Sequence, residues 1–410
     1  MTIAEDRPRV VGTPLQRRED PALLTGEGKY TDDLVVPGAL HLAVIRSPYA
    51  HARITRVDTS GARALPGVVA AYSGAELQGE WGAPMPCAWT VTPDMKNPPH
   101  YPVAVGTVNH VGDPVAVVVG EDPYAVKDAA EAVVVEYEPL GAVVDLDDAL
   151  SDRVLVHPDL GTNRAYTWEL TPDPGKVEQA FKGAAHVVRE RYVQQRLLPS
   201  PMEPRAYLVV PQPVGGEVTI YSATQIPHFV KIFAALILGI PETKLRVIAP
   251  NVGGGFGAKL EVYGEEFLCI ALARKLGRPV RWTEERSETA LAMIQGRGQV
   301  QDIELAADAN GRVTAVRVEL VADMGAYLML VTPGIPLLGA FLYHGVYDTG
   351  AYAFSCTGVY TTKTPTDAYR GAGRPEATYA IERAMDALAR QVGVDPAEIR
   401  RRCCSARRSS

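Results

Sequence analysis

Cysteine is scarce in this chain. There are five in 410 residues, and Cys87, Cys269 and Cys356 stand isolated, so neither a disulfide framework nor a metal-ligand spacing can be drawn. The eight histidines are scattered, without an HxH, HExxH or CxxC cluster, which disfavours zinc or iron–sulfur ligation by the chain itself. Long apolar runs are missing as well. The longest, near Ile232 to Ile240, is too short to span a bilayer. Residues 1 to 10 include acidic side chains and no apolar core, so no secretory signal is visible and a reducing cytoplasm is the expected compartment. Basic excess is also absent: 41 Lys and Arg against 48 Asp and Glu leave a net charge of -7, and nucleic acid is not an expected partner. No internal repeat with a fixed period is present.

What the chain does have is apolar material, 47% of residues, over a length that calls for two or three domains. From residue 21 to about 148, short β-rich runs such as Leu40–Ile45 and Pro114–Val119 alternate with a helix at Pro123–Ala132 that leads into Val133–Tyr137. Residues 1–20 read as a polar arm. The acidic, proline-containing stretch from Ala142 to about Asn163 reads as a linker with one short helix near Leu146–Leu150, and the domain boundary is set at 149–163. Residues 164–402 mix strands, among them Gly216–Tyr221 and Val313–Ala322, with two helices that follow glycine-rich loops. The fold class is α+β.

Those loops carry the chemistry. Asp367-Ala-Tyr-Arg-Gly-Ala-Gly-Arg-Pro-Glu376 runs into a helix whose apolar residues Ala377, Ala380, Ile381, Ala384, Met385 and Leu388 form a half-buried stripe, with Pro375 suited to the first helical position. Asn251-Val-Gly-Gly-Gly-Phe-Gly-Ala-Lys259 follows the strand-like Leu245–Ala249 and precedes a helix expected from about Glu261 to Leu276, closed by Gly277. Four glycines in five positions lose much chain entropy on folding, which suggests a backbone that something must approach closely. Arg370 and Arg374 add positive charge beside a helix N-terminus, a setting that attracts anions. The two loops are expected to lie together and line one cavity.

This pair of loops resembles the molybdenum-binding large subunit of the xanthine dehydrogenase and aldehyde oxidase family, including its carbon monoxide dehydrogenase-like bacterial branch. The resemblance runs in order through Gly26-Glu-Gly-Lys-Tyr-Thr-Asp-Asp33, Arg46-Ser-Pro-Tyr-Ala-His-Ala52, Val111-Gly-Asp-Pro-Val-Ala116, Val135-Glu-Tyr-Glu-Pro-Leu140, Pro201-Met-Glu-Pro204 and Ala223-Thr-Gln-Ile-Pro-His228. It implies an N-terminal α/β hammerhead domain at 21–148 followed by the first molybdopterin-binding α+β domain at 164–402. The implied cofactor is molybdenum-molybdopterin, in the bacterial branch commonly the cytosine dinucleotide form. The metal is held through the pterin, so no ligand cluster on the chain is needed.

The implied activity is hydroxylation of a carbon centre, an aldehyde or N-heterocycle, with water as oxygen donor and a glutamate as general base. Carried over residue by residue, Gln225 matches a glutamine that hydrogen-bonds an oxygen ligand of molybdenum. Gly254, Gly255, Phe256 and Gly257, with Gly371, Ala372 and Gly373, match the cofactor-contacting loops. Arg370 matches the arginine that orients substrate, where a planar, always-charged donor suits a carbonyl or carboxylate. The general base has no counterpart here, although Glu203, Glu261 and Glu376 are tempting. Electrons must leave the site, so a small iron–sulfur subunit and a FAD-binding subunit are implied partners, in a dimer of heterotrimers.

Two departures narrow the substrate. Leu260 stands where purine-oxidising members carry glutamate, and Gly371 stands where true carbon monoxide dehydrogenases carry the copper-binding cysteine. Members of the family continue for about as long again, and Cys403–Ser410 is a basic, Cys/Ser-rich stretch, so the chain is expected to be truncated or frame-shifted, with 403–410 an aberrant tail that neither continues a helix nor packs a core. A non-catalytic fragment is one alternative. Another is an NAD(P)-dependent dehydrogenase, because Gly253-x-Gly255-x-x-Ala258 fits the dinucleotide fingerprint, with Glu284 or Glu285 as ribose ligand.

Overall fold

The computed structural model describes residues 11–404. The remaining residues of the expected arm, 1–10, and of the expected tail, 405–410, lie outside them. Leu40–Arg46 is the central strand of the N-terminal region. It pairs antiparallel with Pro114–Gly120, an almost wholly apolar strand, which pairs in turn with Val68–Ser73. Helix Pro123–Glu131 packs behind this layer on Val126 and Ala129. Asp122 starts it, its carboxylate accepting from the amides of Tyr124 and Ala125 at 2.9 and 3.0 Å. A smaller sheet, Thr107–Val108, Ala52–Asp58 and Val134–Pro139, completes the region.

This layer does not stop at the boundary read from sequence. Leu40 and His41 pair in parallel with Val280 and Arg281 of Val280–Thr283, and the sheet runs on through Ala206–Pro211, Val218–Ser222 and Leu245–Ile248. Seven strands from both regions therefore share one sheet. Their inner face buries Leu40, Val117, Val119, Val209 and Ile220 against Phe267, Leu268 and Ile270 of helix Gly264–Leu276, in one apolar cluster. That helix ends as read, at Gly277 in the left-handed conformation. The longest apolar run folds as helix Pro227–Leu238 beside it. No helix among the described residues is long and apolar enough to cross a membrane.

A buried ionic network ties the two regions. Arg46 of the first strand reaches Glu265 at 2.6 Å and Glu288 at 2.9 Å, while Arg205 reaches Glu265 at 3.2 Å and Glu284 at 2.6 Å. The Arg205 guanidinium also lies 3.8 Å from the centre of the Tyr263 ring. Burial alone would raise the Glu265 carboxyl, but the two arginines override it and hold it at about 2.

A second sheet of five strands, ordered Arg164–Leu170, Ala351–Tyr360, Val313–Gly325, Gly296–Ala307 and His186–Leu197, carries helix Arg374–Val392. The six apolar positions read from sequence are all buried in its core. The sheet is mixed, since Val313–Gly325 and Ala351–Tyr360 run parallel while the other pairs are antiparallel.

Between the regions, the short helix Leu146–Leu150 forms as read. The rest of the 149–163 stretch is pinned: buried Asn163 accepts from the Val156 amide at 2.9 Å and donates to the carbonyls of Ala149 and Val154. The reading of Cys403 as a non-packing tail residue is corrected too. Helix Pro396–Cys403 ends on it, its side chain is buried with Ile399, and Cys404 bridges Tyr347. The local composition was misleading because the residues that cover Cys403, including the Gly311 carbonyl, are distant in sequence.

Candidate functional site

The first glycine loop leaves the edge strand Leu245–Ile248 and twists through left-handed backbone at Gly254, Phe256 and Gly257, with φ of 97°, 55° and 97°. Positive φ at Phe256 is costly for a residue with a side chain, and neighbouring contacts hold it there. A β-carbon on Gly253 would sit 2.5 Å from Cβ of Glu203, while one on Gly255 would collide with the Gln225 amide and one on Gly257 with the Ala368 carbonyl. The glycines at 253, 255 and 257 are thus demanded by other parts of this protein, where the sequence alone suggested an approaching ligand.

Three side chains fasten the loop. Gln225 accepts from the Gly257 amide at 3.0 Å through its carbonyl oxygen. Glu203 accepts from the Gly253 amide and from buried Lys259, both at 2.7 Å. The helix beyond starts at Gly264, three residues later than expected, because Glu261 leaves the helical path: its carboxylate accepts from the amides of Val262 and Leu330 at 2.7 and 2.8 Å.

The second loop is held from beneath by Asp367, which accepts from the amides of Val331 and Ala368 and from the Thr332 hydroxyl. Burial pushes the carboxyl groups of Glu261 and Asp367 up, and the charge of Asp367 pushes Glu261 up further. Two residues of turn then bring Arg370 against the first loop, where its amide donates to the Phe256 carbonyl at 2.8 Å. Gly371, Ala372 and Gly373 all have positive φ, of 104°, 43° and 86°, and Gly373 caps helix Arg374–Val392. Pro375 is the second residue of that helix rather than the first.

The two loops therefore meet, as the sequence suggested, although more than a hundred residues separate them. They meet at an open face. Gln225, Phe256 and Arg370 are exposed, Phe256 at 42%. The amides of Gly254, Gly255, Phe256, Gly371 and Gly373, like the Arg370 guanidinium, make no hydrogen bond to another described residue. Five amide donors without a partner among the described residues, two of them on buried Gly255 and Gly373, and one fixed cation lie in two loops that touch, and this combination suits a ligand rich in acceptor oxygens.

None of the tempting glutamates is free to act as a base. Glu203 is paired with Lys259, Glu261 is buried with Asp367, and Glu376 is buried 3.2 Å from Arg297. Sequence reasoning missed Arg297. Its signal was an arginine between two glycines, Gly296 and Gly298.

The dinucleotide alternative fails on geometry. The Gly253–Ala258 loop follows an edge strand and does not open the next helix, which begins at Gly264. Glu284 is wholly buried on Arg205, and Glu285 caps helix Arg286–Ala292 while pairing with Lys127.

Comparison with known proteins decides the family. Residues 156–404 match the molybdopterin cofactor-binding domain, and residues 25–141 match the aldehyde oxidase and xanthine dehydrogenase a/b hammerhead domain. The chain belongs to the molybdopterin-binding large subunits of the xanthine dehydrogenase and aldehyde oxidase family. Within this family it is 37% identical over 398 residues to the nicotine 6-hydroxylase large subunit of Paenarthrobacter nicotinovorans, covering 96% of this chain and 48% of that one. It is 34% identical over 416 residues to the carbon monoxide dehydrogenase large chain of Hydrogenophaga pseudoflava, covering 98% and 50%. Among solved structures, quinoline 2-oxidoreductase from Pseudomonas putida 86 superposes with a TM-score of 0.93 at 36% identity, covering 98% of this chain and 51% of that one. The chain thus spans about half the length of these relatives.

Proposed function

We propose that this chain forms the hammerhead and first molybdopterin-binding parts of a molybdenum hydroxylase whose substrate is an N-heterocycle. One observation carries the reading: the Arg370 amide on the Phe256 carbonyl, which unites two loops that leave the amides of Gly254, Gly255, Phe256, Gly371 and Gly373 without a partner among the described residues. The residues present fit the cofactor. Gly254, Gly255, Phe256, Gly371 and Gly373 offer backbone donors to its oxygens, Gln225 offers an amide beside them, and Arg370 offers the charge. The bound group supplies the redox centre for hydroxylation with water as oxygen source. Arg370 would orient the substrate, its planar fork matching a carbonyl, carboxylate or ring nitrogen acceptor.

The substrate class rests on two supports. Relatives named for nicotine and quinoline are 36–37% identical, whereas the aldehyde oxidoreductase of Desulfovibrio gigas is 25% identical. Carbon monoxide is disfavoured by position 371, where φ is 104° and a β-carbon would collide with the Pro375 ring, leaving no room for a cysteine. The cytosine dinucleotide form of the cofactor, a small iron–sulfur subunit, a FAD-binding subunit, a dimer of such heterotrimers and a cytoplasmic location complete the proposal. The nicotine 6-hydroxylase relative is named as a large subunit and the carbon monoxide dehydrogenase relative as a large chain, which fits a multi-chain assembly.

The test is to purify the protein from its own cells, measure molybdenum, and release and identify the bound nucleotide. Stoichiometric molybdenum with a pterin cytosine dinucleotide, and dye reduction with quinoline or pyridine substrates faster than with aldehydes, is the expected result. Bound NAD(P) in place of a pterin would overturn the reading.

A further inference from the structure

Arg297 is held in a conformation that its residue type disfavours. Its φ is +66°, at the head of strand Gly296–Ala307, and Gly298 next to it is also left-handed at +71°. The reason lies in the second loop. A β-carbon on Gly296 would collide with that of Tyr369, so the strand head is pressed directly onto the turn that presents Arg370.

From there a single guanidinium makes four contacts. It donates to the Tyr369 carbonyl at 3.3 Å and to the Arg370 carbonyl at 2.9 Å. It pairs with Glu376 in the first turn of the 374–392 helix at 3.2 Å, and its carbon centre lies 4.8 Å from the middle of the Tyr369 ring. The side chain is 10% exposed, so these contacts are shielded from water. Arg370, in contrast, has no partner for its own guanidinium among the described residues, and its direction is set by its backbone alone. That backbone is fixed on one side by the Phe256 carbonyl and on the other by Arg297.

We propose that Arg297 is a positioning residue: it locks the Tyr369–Arg370 turn to the helix start, and so aims the Arg370 side chain and the amides of Gly371 and Gly373 at the ligand. The consequence for turnover rests on the function proposed above; the locking itself does not. Lysine cannot reproduce it, because a point charge cannot serve two successive carbonyls, a carboxylate and a ring face together.

The experiment compares Arg297→Lys and Glu376→Gln with the unchanged protein by hydrogen exchange, thermal unfolding, molybdenum content and kinetics. Expected in Arg297→Lys is exchange about tenfold faster in the 369–376 segment, where the amides of Arg370, Ala372 and Arg374 are bonded, with no change in the Pro114–Gly120 strand. A kcat about tenfold lower at unchanged molybdenum content should accompany it. Glu376→Gln, which keeps the shape and weakens one of the four contacts from an ion pair to a neutral hydrogen bond, should loosen the same segment less, and it decides the matter if the lysine variant does not fold. Unchanged exchange at 369–376 in the folded variants overturns the proposal. Faster exchange with unchanged kcat and full molybdenum would uphold Arg297 as the lock and instead remove Arg370 from the proposed active site.

Discussion

The amide of Arg370 donates to the carbonyl of Phe256 at 2.8 Å, so the two glycine loops are joined by backbone, with no side chain as intermediary. Such a contact requires both chains to approach without β-carbons in the way, and Gly257 supplies that on one side, directly against the Ala368 carbonyl.

Replacing Gly257 with alanine should therefore separate the loops. At φ of 97° an alanine is strained even before the collision, and a loss of roughly 1–3 kcal/mol is expected. Urea unfolding of the folded variant measures it. A midpoint equal to that of the parent would mean that the contact is slack.

Arg370→Lys should retain molybdenum and lower kcat by about 10- to 100-fold, because an ammonium keeps the charge and loses the planar fork. Metal analysis beside steady-state kinetics on the purified protein separates the two effects. Normal kinetics at full metal loading would place the substrate elsewhere.

Glu284→Gln should be severe although it lies away from the loops. Arg205 is wholly buried, and taking away one of its carboxylates leaves charge uncompensated in the interior, at a cost of about 3–5 kcal/mol. Because Arg205 and Arg46 also share Glu265, the damage should extend to the sheet common to both regions. A ΔG of unfolding within about 0.5 kcal/mol of the parent, the effect of an ordinary surface change, would contradict it.

Glu266 predicts the sign of a pH dependence. Burial pushes its carboxyl up to about 8, well above the value of about 4.3 in an unfolded chain. The folded protein keeps a proton that the unfolded chain releases, so this contribution is complete below about pH 4.3 and is lost as pH rises towards 8. Glu266→Gln should remove the slope, up to about 1.4 kcal/mol per pH unit, and gain stability relative to the parent between pH 5 and 8. Parallel stability curves for parent and variant would show that Glu266 does not titrate in this way.

Local periodicity made much of the fold legible. The stripe from Ala377 to Leu388, the run Pro114–Val119, the start of the helix after Asp122 and the Gly277 stop each depend on residues within a few positions of one another, and all are found as read. The ordered motifs likewise sufficed for the family, because glycines and arginines at those spacings are specific as a set.

Only tertiary structure decided the rest. That Leu40 pairs with Val280, so that the two regions share a sheet, depends on a contact across 240 residues. That Cys403 is buried, that Glu203, Glu261 and Glu376 are structural partners, and that Gly255 and Gly257 make room for Gln225 and Ala368 all depend on atoms brought close by folding. Sequence determines which residues tolerate left-handed backbone or form a helix, because those energies are local. What presses on them is settled by long-range packing, and here the interior of the protein itself occupies the space that glycine leaves.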